Sequence, residues 1–195
     1  MRWPALQGMA LGLFVSATSA SAHTGTGLAG GFASGFEHPL SGWDHLLAMI
    51  AVGLWGAFLG RPLIWALPIT FPLMMVVGAI AGMFEFPMPP VEFGVALSVL
   101  SLGSCIALAY RAPTWAAITI VAIFALFHGY AHGRELPSAA DPIGYSTGFV
   151  LATGMLHLAG VAIGLLANHR RGVIAIRAAG AAIAATGFIF VRAAL

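Results

Sequence analysis

Phe127-His128-Gly129-Tyr130-Ala131-His132-Gly133-Arg134-Glu135 closes an apolar run that begins near residue 113. The run decides the fold class, because about 20 consecutive apolar residues are what a bilayer-crossing helix needs. On a helix His128 and His132 are four apart and share a face. Glu135, seven from His128, returns to the same stripe if the helix persists. Ionisable side chains at membrane depth are costly and by default mark an ion or substrate path. Imidazole and carboxylate together make a borderline-to-hard site suited to nickel, cobalt or zinc. The stretch implies a membrane protein that handles a divalent metal ion.

Composition agrees along the whole chain. Of 195 residues, 60% are hydrophobic and only 7% charged, and the mean hydropathy is +0.97. A soluble domain carries about 25% charged residues, so a water-facing surface is excluded and the lipid bilayer is the expected partner. The 25 glycines suit membrane helices, whose backbones approach closely over small residues. All basic residues are arginine and are scattered, so the pI near 9.2 does not point to nucleic acid. The single cysteine, Cys105, lies in an apolar run and reads as a small buried hydrophobe.

Residues 1–22 have the pattern of a cleavable secretory signal: Arg2, an apolar stretch from Met9 to Val15, then Ala20-Ser21-Ala22 as the cleavage site. Cleavage would expose His23, whose free α-amine and imidazole form a chelating pair, at the head of a Gly-rich external segment over 23–37. Six apolar stretches follow, near 40–60, 63–84, 92–110, 113–133, 143–167 and 172–193. The short breaks between them predict an all-α, up-and-down bundle of about six transmembrane helices, a single domain over 23–195. A cleaved signal puts the mature N-terminus outside, in the periplasm of a bacterial inner membrane. Arg61, Arg111, Arg170 and Arg171 then fall in cytoplasmic loops, as the positive-inside rule asks. All the acids (Glu37, Asp44, Glu85, Glu92, Glu135 and Asp141) fall outside, where they would concentrate cations and favour uptake.

A second constellation, His38-Pro39-Leu40-Ser41-Gly42-Trp43-Asp44-His45, opens the first of these stretches. Pro39 suits a first helical position, which would set His38 at the start of that helix and, seven residues on, His45 near the same stripe. Met49, one turn beyond His45, offers a thioether. A lone histidine at an interface is ordinarily packing, but His-Asp-His within eight residues points to a ligand set. His38, Asp44, His45, His128, His132 and Glu135 are therefore expected to converge near the external face and hold metal. Gly42, Gly129 and Gly133 would permit close helix approach or a bent backbone. His157, mid-span in the fifth stretch, reads equally as a deeper relay or as a packed histidine bonding a neighbouring helix. His169, beside Arg170 and Arg171, reads as solvated, and Gly144 to Gly148 matches a nucleophile-elbow pattern without the strand it requires.

The His-x5-Asp-His pattern of His38, Asp44 and His45, together with Phe-His-Gly-x-Ala-His-Gly-x-Glu over Phe127 to Glu135, resembles the two signature motifs of the HupE/UreJ family. That resemblance implies a bacterial inner-membrane protein associated with nickel supply to hydrogenase and urease, permeating nickel or cobalt without ATP hydrolysis. It implies no enzyme activity and no organic cofactor. The rival readings are an intramembrane metalloprotease, a haem-binding electron carrier using His128 and His157, and a metal sensor or chaperone. The first lacks His-Glu-x-x-His, and the clustered carboxylates favour a hard cation over haem.

Overall fold

The computed structural model describes residues 28–135, 141–168 and 170–195. The expected signal over 1–22, His23 and His169 lie outside the described residues. Those described form α-helices throughout, joined by short turns and one 3-10 turn: α1 (Leu28–Ser41), α2 (Trp43–Leu59), α3 (Leu63–Met83), α4 (Val91–Ala107), α5 (Thr114–Glu135), α6 (Pro142–Gly164) and α7 (Arg170–Ala193). α3, α5, α6 and α7 are each long and apolar enough to cross a bilayer. α1 and α2 together pass the same test as one span bent by 79°. α4 has 17 residues, about 26 Å of helix, which is short for a bilayer core of about 30 Å. The expected six spans are thus four or five by length and composition. The stretch read as 92–110 loses its end because the helix stops at Ala107, where Ala109 takes a left-handed turn at φ 52°.

The other difference lies at residues 28–37, read from composition as a Gly-rich segment outside the membrane. They belong to α1, because their glycines serve packing. Gly35 meets the Tyr145 backbone of α6, and Gly148 of α6 meets the Phe32 carbonyl, so closely that a Cβ at either place would collide. Gly31 lies by Asp141, and Gly53 of α2 lies by His157, so α1 and then α2 contact α6 in rising chain order. The pair is a helix broken at Gly42.

The remaining pairings follow small residues as well. Gly78 and Gly82 of α3 face Leu126 and Tyr130 of α5, while Gly129 and Gly133 of α5 face Met75 and Ala79 of α3. The numbers rise together, so α3 and α5 are parallel. α4 and α7 are antiparallel, with Gly103 by Ala184 and Gly187 by Leu100. Chain direction therefore alternates as in an up-and-down bundle, but these closest partners are not neighbours in sequence. Short loops limit the direction of the next helix, whereas small residues choose which backbones touch.

α2 sits in the middle and touches α1, α3, α4, α6 and α7. Met49, Val52, Leu54 and Trp55 are fully buried there against Leu67, Phe71, Leu102 and Ile106. Large apolar side chains such as Trp65, Leu73, Ile80, Trp115, Leu158 and Ile189 face outward. An exterior of that kind suits lipid as solvent, and the chain is a multi-pass membrane protein. Glu85, Glu92 and Asp141 gather at the end where α3 finishes and α4 and α6 begin. Arg61, Arg111 and Arg170 gather at the other.

Candidate metal centre

The interruption between α1 and α2 supplies three candidate ligands. Ser41 Oγ donates to the His38 carbonyl at 2.8 Å and closes the last turn of α1. α2 starts at Trp43, so Asp44 lies in its first turn, where the helix dipole favours a carboxylate. Asp44 Oδ1 accepts from the His45 backbone N–H at 2.8 Å and from His45 Nδ1–H at 2.7 Å. With the proton on Nδ1, neutral His45 carries its lone pair on Nε2, which is buried and has no partner. Gly42 leaves room for this pair: a Cβ there would stand 3.0 Å from Asp44 Oδ1 and 3.2 Å from His45 Nδ1.

Two local expectations are corrected here. Pro39 is inside α1 near its end instead of opening a helix, and His38 and His45 lie on different helices instead of one stripe. A proline tolerated at a helix start reads the same in sequence as one just before a stop. The bend still brings the His38 and His45 ring centroids to 6.2 Å.

α5 supplies His128 and His132 on one face, as four-residue spacing dictates. His128 is completely buried. Its Nε2 lies 2.9 Å from Ser98 Oγ of α4, and that hydroxyl gives its only hydrogen to the Val95 carbonyl at 2.6 Å. Ser98 therefore accepts from His128 Nε2–H, and the lone pair falls on Nδ1, which is buried without a partner. His132 is 4% exposed, and neither of its ring nitrogens has a partner. It packs on His38 at 4.8 Å, His45 at 4.7 Å and Phe149 at 4.5 Å between centroids, and His45 packs on His128 at 4.8 Å. Four imidazoles from three helices form one contiguous cluster, with Asp44 against His45. Among the described residues, no three His, Cys, Asp or Glu groups already stand in coordination geometry. The rings lean on one another edge-on or tilted.

Of the other candidates, Glu135 ends α5, so the helix does persist that far, but its side chain lies outside the described residues. Met49 is buried in the hydrophobic core. His157 is buried on α6, its ring bonded to the Pro68 carbonyl of α3. Phe71 packs on both His157 and His128, at 5.3 and 5.4 Å, so it fills space a haem between those two histidines would need. Tyr130, within the α5 motif, donates to the Phe86 carbonyl at 2.8 Å and fastens the α3–α4 connection to α5. Ser98 was not singled out from sequence, where it is an ordinary serine in an apolar run.

A sequence model of the HupE / UreJ protein family matches residues 11–190. Protein HupE of Rhizobium leguminosarum bv. viciae is 41% identical over 167 residues, covering 85% of this chain and 87% of that protein. No solved structure matches. A match over nearly the whole length, through both histidine motifs and every helix that carries them, means that this chain belongs to the HupE/UreJ family.

Proposed function

We propose that this protein is a permease for divalent nickel, with cobalt as a second cargo, taking the ion from the periplasm across the bacterial inner membrane to supply enzymes such as hydrogenase or urease. One observation carries the reading. His45 and His128 are each held by an outer partner, Asp44 and Ser98, in the tautomer that leaves a bare, buried lone pair within the imidazole cluster. Metal-binding histidines are oriented in this way by a carboxylate or other acceptor on the second nitrogen. Ring spacing supports it too. With metal–nitrogen bonds of about 2.1 Å, two imidazoles on one ion have centroids about 4.5–5.2 Å apart. The three closest histidine pairs lie at 4.7–4.8 Å.

Asp44 offsets part of the ion's charge. Acids at the cluster end and arginines at the other support entry from outside under the positive-inside rule. Membership of the HupE/UreJ family supports nickel as cargo. The deciding measurement is uptake into proteoliposomes of nickel, cobalt and zinc side by side. Nickel should accumulate against protein-free vesicles, whereas binding without accumulation would replace the permease with a sensor or chaperone.

Two further outcomes are expected. Ser98→Ala removes the acceptor that fixes His128, and nickel affinity should fall about 10-fold, the lower range for losing such an outer partner. An unchanged isotherm would show that Ser98 does not set the tautomer. Protons compete with metal for imidazole, so affinity should fall on acidification, by up to roughly tenfold per pH unit for each histidine that titrates. Calorimetric titration at a series of falling pH values checks this, and affinity that stays undiminished down to the pH at which the protein unfolds would argue against histidine ligation.

A further inference from the structure

Beyond the four-imidazole cluster, α6 buries two more polar side chains one turn apart. Thr153 is 1% exposed and its Oγ1 has no partner; His157 is 2% exposed and its Nε2 has none. Bare polar atoms in a packed interior weaken the fold, so each calls for an explanation.

Repair of a neighbouring helix explains half of the His157 ring. Pro68 and Pro72 lie four apart inside α3. Pro72 has no N–H, so the Pro68 carbonyl loses its helical donor. The His157 ring bonds that carbonyl, and because Nε2 is unpartnered the donor is Nδ1–H. The lone pair then falls on Nε2. The Pro68 carbonyl thus imposes on His157 what Asp44 and Ser98 impose on His45 and His128: one nitrogen tied, the other bare.

The two groups also lie on a continuous line from the cluster. At about 1.5 Å of rise per residue, Phe149, Thr153 and His157 stand about 12, 18 and 24 Å along α6 from Asp141. Phe149 packs against His132 and His38. Thr153 and His132 line one predominantly apolar cavity of about 90 Å³ between α3, α5 and α6. Phe71 joins His128 to His157 on the other side.

We propose that Thr153 Oγ1 and His157 Nε2 form an inner site for a divalent cation, which receives the ion from the imidazole cluster and holds it weakly before release toward the arginine-bearing end. The inference deepens the uptake reading and rests on it. One imidazole and one neutral hydroxyl, completed by water, bind a cation less tightly than four imidazoles and a carboxylate. A conducting path needs such a descending step, since each site must let the ion leave.

The test titrates the full-length protein in detergent with nickel alone, then reconstitutes the same preparations for nickel uptake. Thr153→Val removes the oxygen at constant shape and breaks no hydrogen bond. His157→Gln removes the imidazole but keeps an N–H donor for the Pro68 carbonyl, which guards against loss of fold. Wild type should show a tight and a weaker class of bound nickel. Both variants should keep the tight class, lose at least about tenfold in the weaker one, the least that even an outer partner costs, and slow uptake. His128→Ala should do the reverse, losing the tight class and keeping the weaker. Absence of the weaker class from wild type, or its survival unchanged in both variants, overturns the inner site and leaves Thr153 and His157 as packing. If wild type binds both classes yet accumulates no nickel, the uptake reading falls alone, and the titrations still decide the inner site.

Discussion

His45→Ala and His128→Ala are each expected to cut nickel uptake by more than about 100-fold, since losing an outer partner alone costs about 10–100-fold and these changes remove the ligating nitrogen itself. The two changes differ in what they leave behind. Without His45, Asp44 Oδ1 loses the 2.7 Å bond to Nδ1. Without His128, Ser98 keeps its bond to the Val95 carbonyl, so α4 suffers little. His128→Ala is the cleaner probe, because the lost ring packs chiefly on His45 and Phe71. Expression, membrane insertion and helical signal should stay near wild type while uptake into proteoliposomes collapses. The Asp44–His45 pair makes a second distinction available. Asp44→Asn keeps an oxygen for His45 but withdraws the negative charge, so an effect on uptake smaller than that of His45→Ala would separate orientation from charge compensation. Normal uptake by both alanine variants would remove the cluster from the mechanism.

That His38, Asp44, His45, His128 and His132 meet was legible in the sequence; how the backbone brings them together was only partly so. Four-residue spacing put His128 and His132 on one face, and α5 does so. The same logic applied to His38 and His45 failed, because it assumed a helix running through Gly42. The chain breaks there, and the groups meet by bending instead of by periodicity. Half-helices that end at membrane depth next to ligands are a recurrent way of building ion sites. A Gly just after Ser41 and a Pro two residues before it were the available signals. Ser98 carried no signal at all, since its role depends on α4 lying beside α5. The bond from His157 to Pro68 left a readable trace: prolines four apart in one helix oblige some other element to supply a donor. The pairing of α3 with α5 left one too, in Gly78 and Gly82 against Gly129 and Gly133. Gly129 and Gly133 stood out in the sequence as permissive without showing which helix they permit, and Gly78 and Gly82 did not stand out at all.

That pairing leads to the second large effect, because the imidazoles of α5 are only as well placed as α5 itself. Gly129 lies between His128 and His132, and a Cβ on it would strike the Met75 carbonyl of α3; Gly133 stands in the same relation to the Ala79 carbonyl. Neither obstacle is a side chain that can swing aside. Gly129→Ala must therefore push α5 off α3, at a cost of about 1–3 kcal/mol for an overpacked interior. A displacement of about 1 Å, as relief of such an overlap with a carbonyl oxygen requires, spoils the 2.9 Å bond between His128 and Ser98. Gly154 of α6 provides the internal control, for a Cβ there meets nothing within 4 Å. Gly154→Ala should stabilise the helix by about 0.5–1 kcal/mol, the usual gain from replacing glycine in a helix interior. The same one-methyl change is thus expected to act with opposite signs at the two positions. Denaturation in detergent followed by helical signal, paired with nickel titration, reads both. Gly129→Ala should lower the midpoint and weaken nickel binding together, while Gly154→Ala raises the midpoint and leaves binding alone. Should the two variants behave alike, the close approach of α3 and α5 does not position the histidines.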